Sequence, residues 1–224
     1  MDHFGAVVLA ARMSFFNQGG PVDQRILYVY TFMFWTSVVV GAGVAGLILF
    51  SAIRFRARGR TDEPRQIAGN TRLEVAWTLI PFLILASLFG ITYANMPFIH
   101  NAPAGAMQIH VTGEQYVFVY NYPFNTKAGK PIIQDGTMTI PANEPIELDV
   151  TSIDVNHSFF LPTLGGQVNA IPGQMNHMWI EARPGTYYGQ CTELCGVGHA
   201  FMTIQVDALS PAAWSAWLTK EQGQ

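Results

Sequence analysis

Charge is scarce in this chain: only 12% of its 224 residues are Asp, Glu, Lys or Arg, while half are apolar. That balance indicates a membrane-embedded part. Two runs have no charge at all, Ile26 to Ile53 and Val75 to Ile99. Each is longer than the roughly 20 residues that cross a hydrocarbon core of about 30 Å. A basic leader is also missing, since the short apolar patch at residues 5 to 11 follows Asp2. The first long run begins too late and is too long for a secretory signal, so a retained anchor preceded by an arm over 1–25 is expected. There are only two cysteines and no Cys-x-x-Cys-His, which excludes a fused c-type haem segment. No internal repeat or low-complexity tract stands out.

Arg54, Arg56, Arg58, Arg60, Arg65 and Arg72, half of the twelve basic residues, lie between the two runs. The positive-inside rule keeps such a loop in the cytoplasm and puts both termini on the outer side of the membrane. A short Arg-rich loop between two spans needs no nucleic-acid partner; the lipid bilayer accounts for it. The expected first unit is thus a transmembrane hairpin over 26–100. In its first span Gly41, Ala42, Ala45 and Gly46 form small-xxx-small pairs that would let another helix approach. Pro81 is expected to kink or loosen the second span. Thr71 and Glu74 form an S/T-x-x-E capping box at its start.

Beyond residue 100 the helical pattern gives way to short β-rich runs between Pro, Gly and Asn turns. Ile146, Leu148 and Val150 alternate with polar neighbours, as in a strand with one buried face. The run from Gln115 to Tyr122 is apolar or aromatic on both faces and predicts a strand covered on both sides. Strands are also expected in "NHMWIEA" and in "HAFMTIQVDAL". The pattern predicts an antiparallel sandwich or barrel over 101–210. A tail over 211–224 follows, in which Ser210-Pro211 suits a helix start and Trp214 and Trp217 share a packing face. This outer part holds ten acidic and four basic residues, a net −6, which favours encounter with a basic partner.

Both cysteines fall within "CTELCGVGHAFM", Cys191 to Met202. Three chemistries fit. A disulfide would close a very short loop. A structural zinc site would use Cys191, Cys195, His199 and a remote histidine. A copper electron-transfer site would combine thiolate, imidazole and the thioether of Met202. Zinc has no use for a thioether, yet spacing alone leaves copper and zinc level. The remaining histidines, His3, His100, His110 and His177, have no ligand partners at recognisable spacing, so surface or satisfied core roles are expected.

Taken with "DVNHSFFLP", "TRLEVAWTLIP", "AIPGQMN" and "RPGTYYGQC", this loop closely resembles the dinuclear copper (CuA) motif of cytochrome c oxidase subunit II, over nearly the whole chain. The resemblance implies a two-helix transmembrane hairpin followed by an all-β cupredoxin-like barrel. It also implies an electron-transfer subunit of a haem-copper oxidase. Electrons would come from cytochrome c or another redox protein and pass to haem in subunit I, where O2 is reduced to water with proton translocation. By the same resemblance Cys191 and Cys195 would bridge two coppers, His157 and His199 would each bind one, and Met202 and the Glu193 carbonyl would be weak axial ligands. The Glu193 side chain would help hold a Mg or Mn ion shared with subunit I. Glu74 would stand near a proton-uptake path.

One departure concerns the aromatic strand. The family carries tryptophans where this chain has Tyr116 and Phe118, the two candidates for electron acceptance, so a different donor is expected to be possible here. A copper subunit of a nitric or nitrous oxide reductase and a membrane-anchored zinc or disulfide binding domain are the alternatives. A quinol oxidase subunit is disfavoured, because those relatives lack the copper ligands.

Overall fold

The computed structural model describes residues 18–56, 66 and 68–223. The chain falls into two compact units. One runs from the first described residues to Leu27 and resumes at Met96; the other is Tyr28–Asn95. His3, most of the N-terminal arm and Arg58, Arg60 and Arg65 lie outside the described residues.

The uncharged runs form helices α1 (Pro21–Arg54) and α2 (Thr71–His100). At 1.5 Å per residue they are about 51 and 45 Å long, more than a hydrocarbon core. Their apolar side chains face outward: Val39, Leu47, Ile53, Phe82 and Phe89 are all mostly exposed. Exposure on this scale fits a membrane anchor and is costly in water. Added Cβ atoms at Gly41 and Gly46 would meet nothing within 4 Å. Helix α2 continues through Pro81. Its start differs from the expected box. The cap is Asn70, whose Oδ1 accepts from Leu73 N at 3.3 Å, while Glu74 Oε1 accepts from Asn70 N at 3.1 Å. The reciprocal pairing is therefore shifted one residue upstream, because Asn accepts as well as Thr at this position.

The second half holds ten strands in two five-stranded sheets. The first sheet has the order β3-β2-β1-β5-β8, from β1 (Met107–Glu114), β2 (Val117–Asn125), β3 (Pro131–Asp135), β5 (Ile146–Ser152) and β8 (Asn176–Ile180). The second has the order β4-β10-β9-β6-β7, from β4 (Thr137–Pro141), β6 (His157–Leu161), β7 (Gly166–Ala170), β9 (Gly185–Cys191) and β10 (Thr203–Leu209). Most neighbours are antiparallel, but β1 pairs β5 and β4 pairs β10 in parallel. Ile109, Val111, Phe118, Leu148 and Val150 from one sheet and Ile140, Phe159, Leu161, Ile204 and Val206 from the other form a single buried core.

Strand β5 buries Ile146, Leu148 and Val150 as the alternation predicts. Strand β2, read as covered on both sides, buries only one face: Phe118, Tyr120 and Tyr122 point inward, while Val117, Val119 and Asn121 are partly exposed. Val117 and Val119 on the outward parity left little polar contrast with the inward aromatics and concealed the period-2 pattern. The run from His199 also differs, because His199–Phe201 form a 3-10 turn and β10 begins only at Thr203.

Helix α3 (Pro211–Gln222) starts with Pro at its first turn, as expected. Trp214 and Trp217 stack with ring centroids 4.7 Å apart and lie beside Phe124 and Tyr122, which makes them packing residues.

Candidate metal centre

Three connections meet at one end of the sandwich. The tight β1–β2 turn carries Gln115 and Tyr116, with Glu114 and Val117 paired across it. The β5–β6 loop carries Asp154 and ends at His157, the first residue of β6. The β9–β10 loop runs from Cys191 to Met202 and is tied at its mouth by Cys191 N donating to Met202 O at 2.9 Å. A ladder pair, Phe159 with Cys191, fixes that loop against β6. The site is thus held by strand ends rather than by its own loop alone, which limits its movement.

Within this frame the sulfur and nitrogen atoms converge. Cys191 Sγ and Cys195 Sγ are 4.0 Å apart and unbonded, about twice the disulfide S–S length. His157 Nδ1 lies 3.9 Å from Cys191 Sγ, and His199 Nδ1 lies 3.6 Å from Cys195 Sγ. Met202 Sδ is 3.9 Å from Cys195 Sγ, and the Glu193 carbonyl is 3.2 Å from Cys191 Sγ. Cys191, Cys195, His157 and Met202 are buried, and His199 is half-buried. All six positions named from the sequence therefore come together. Two soft thiols, two ring nitrogens and a thioether form a donor set that suits copper. Burial, followed by the nearby Cys191 thiol, pushes the Cys195 thiol up to about 11. In the metal-free chain this sulfur stays protonated at neutral pH, and metal uptake must release its proton.

Three side chains support the site in ways that the sequence pattern does not disclose. Asp154 Oδ1 lies 2.8 Å from His157 Nε2 and fixes the ring with its other nitrogen towards the thiols. Burial raises the Asp154 carboxyl, but hydrogen bonds from His157, the Val155 and Gln115 amides and the Ser152 hydroxyl outweigh it and hold the group at about 2. Gln115 Nε2 donates to the Cys195 carbonyl. Phe118 packs edge-on against His157 with centroids 6.2 Å apart. An acidic residue three positions before His157 is the signal for Asp154, and Phe118 is named from the sequence only as an electron-acceptance candidate.

Of the two candidates for electron acceptance, Phe118 is fully buried and cannot touch a docked protein. Tyr116 is half-buried and its ring lies on the metal loop; a Cβ at Gly198 would come within 2.4 Å of it, and one at Gly196 within 2.6 Å of its hydroxyl. Around it the loop presents Leu194, Val197 and Phe201, each more than 80% exposed. The Glu193 side chain is exposed. Glu74 serves the α2 cap, in the other unit.

The fold and donor set define a membrane-anchored, cupredoxin-like metal-binding protein. Residues 107–209 match the family described as cytochrome C oxidase subunit II, periplasmic domain, and residues 9–91 match the transmembrane domain of the same subunit. The chain is 30% identical to the probable cytochrome c oxidase subunit 2 of Rickettsia bellii, over 97% of this chain and 87% of that one. It is 29% identical to cytochrome c oxidase subunit 2 of Cereibacter sphaeroides, over 91% and 78% respectively. It also resembles the crystal structure of the periplasmic domain of subunit II of Bradyrhizobium japonicum cytochrome oxidase. That match has a TM-score of 0.50 and 33% identity, and covers 54% of this chain and 96% of that one. The chain belongs to the cytochrome c oxidase subunit II family. It is an electron-transfer subunit of an oxidoreductase complex, and the nitric or nitrous oxide reductase reading is not favoured.

Proposed function

We propose that Cys191, Cys195, His157, His199, Met202 and the Glu193 carbonyl hold a dinuclear copper centre on the outer side of the membrane. Electrons arrive there from cytochrome c or another redox protein and leave for haem in subunit I. The observation that carries this reading is the convergence of two unbonded thiols, each faced by one histidine Nδ1. Copper held by these residues would supply one-electron redox chemistry.

The chain's own residues prepare the site. Asp154 sets the His157 tautomer, leaving Nδ1 as the coordinating atom. The buried Phe118 and Phe159 rings, 5.0 Å apart, fill the space behind His157 and keep water away. The ladder pair and the closing backbone bond hold the donors in one arrangement, so little has to move when the electron count changes.

Tyr116 is the proposed point of electron acceptance, because it is the aromatic residue resting on the metal loop with part of its surface exposed. The apolar rim of Leu194, Val197 and Phe201 supports docking of a partner protein at this end. Glu193 is proposed to contribute its carboxylate to a Mg or Mn ion shared with subunit I, and Glu74 to serve proton uptake in addition to its cap. Reduction of O2 with proton translocation belongs to the partner subunit.

Stopped-flow reduction of the copper-loaded oxidase by its donor tests the route. Tyr116→Ala is expected to slow donor-to-copper transfer by at least about tenfold with copper content intact. An unchanged rate would remove Tyr116 from the path, and failure of copper to accept electrons at all would overturn the reading.

A further inference from the structure

Three of the chain's six histidines, His100, His110 and His177, play no part in the thiol site. Sheet register gives two of them a shared partner. His110 stands opposite Asp149 in the β1–β5 pair, and His177 stands opposite Asp149 in the β5–β8 pair, so the three residues form one row across adjacent strands. Asp149 Oδ1 lies 2.7 Å from His177 Nδ1 and Oδ2 lies 3.2 Å from His110 Nδ1. Glu147, two residues before Asp149, presents its carboxylate on the same face of β5 by the period-2 rule. The donor atoms of Glu147, Asp149 and His177 all lie within 4.8 Å of one another.

We propose that this face carries a second metal site, for a divalent ion of the zinc class, with Glu147, Asp149 and His177 as ligands and His110 holding Asp149 in place. Four features support it. The set holds two carboxylates and an imidazole but no sulfur, which suits zinc or cobalt and separates it chemically from the thiol site. Two carboxylates supply the −2 charge that balances a divalent ion. Asp149 is only 7% exposed and is met by His110 and His177, which fixes one carboxylate of the set in place. Lastly, a cleft of about 520 Å³ lined by His100, Glu147, Asn176 and His177 gives an ion a way in and leaves room for water to complete its shell.

The donor atoms, within 4.8 Å of one another, must adjust to the spacing of a bound ion. With metal–ligand bonds of about 2.0–2.2 Å, tetrahedral donors stand about 3.4 Å apart. His177 must open its 2.7 Å contact slightly, and its side chain is 55% exposed. The ion would tie β5 to β8, and β8 is the edge strand of its sheet. The site therefore acts as a clip between β5 and the last strand of the sheet.

Cobalt(II) is the probe, titrated into the full-length chain in detergent without a histidine tag. Two classes of bound cobalt are expected. One shows the sulfur-to-cobalt charge-transfer absorption of Cys191 and Cys195; the other shows only weak ligand-field bands and is displaced by zinc. His177→Gln and Glu147→Gln, both at solvent-accessible side chains, are each expected to weaken the sulfur-free class by at least about tenfold. They should leave the sulfur-bound class and the circular dichroism spectrum unchanged. The proposal is overturned if all bound cobalt carries the sulfur band, or if the sulfur-free class survives both substitutions undiminished.

Discussion

Replacing Asp154 by asparagine keeps the shape of the side chain but removes the charge that four donors share. Its Oδ1 takes bonds from Val155 N at 2.6 Å, Ser152 Oγ at 3.1 Å and His157 Nε2 at 2.8 Å, and its Oδ2 takes one from Gln115 N at 2.8 Å. At about 1.36 kcal/mol per pH unit, the fall from 3.8 to about 2 puts the net stabilisation of the charged form, bonds less burial, at no more than about 2 kcal/mol. The side chain is 29% exposed, so solvent screening lowers the figure to about 1 kcal/mol. Asparagine also turns an NH2 group towards one of the present donors and loosens the hold on His157.

Asp154→Asn is therefore expected to lower copper affinity about tenfold, the range for losing a carboxylate behind a metal-binding histidine. Competition against a chelator of known affinity at pH 7 measures this. The pH dependence gives a second check. A depressed carboxyl stabilises the fold fully above about pH 4 and loses its contribution as pH falls towards about 2. The metal-free wild type should lose about 1 kcal/mol across that window beyond what the variant loses. Equal copper affinity in wild type and variant, with matching acid stability, would refute the positioning role of Asp154.

Gly198→Ala would place a Cβ 2.4 Å from the Tyr116 ring; overpacking of this kind costs about 1–3 kcal/mol and should lower the thermal midpoint of the metal-free chain. The raised Cys195 thiol has a consequence at the opposite end of the pH scale. Its folded value of about 11 stands above the ordinary 9.0, so the metal-free chain is expected to lose stability as pH rises from about 9 to about 11, while the copper-loaded chain, already without that proton, shows no such loss; thermal melts against pH distinguish the two. Asn70→Ala removes the cap of α2 and should cost about 1 kcal/mol, seen as faster amide exchange at Leu73 and Glu74.

The membrane helices and the donor set were legible because each leaves a local trace. An uncharged run of helix length and a cluster of two cysteines, a histidine and a methionine within twelve residues need no tertiary information. The resemblance supplied His157, thirty-four positions before Cys191, which spacing could not have done. Features set by long-range register were hidden. Nothing near His110 in sequence points to Asp149 or His177, because the row exists only once β5 lies between β1 and β8. Strand β2 misled because its buried aromatic face is backed by Val117 and Val119 on the outer face, so burial of one face left little polar alternation. The 3-10 turn at His199 was read as strand because Phe201 and Met202 continue an apolar run into β10. The cap of α2 moved to Asn70 because two adjacent residues, Asn70 and Thr71, could each fill it.

The two thiols and two imidazoles are proposed to hold a pair of coppers that share one electron. The direct test is copper analysis combined with electron paramagnetic resonance on the copper-reconstituted full-length chain, purified under reducing conditions. Two coppers per chain and a spectrum in which one unpaired electron couples equally to both are the predicted result. One copper with a mononuclear spectrum, preferential retention of zinc, or a disulfide between Cys191 and Cys195 that excludes metal would contradict it.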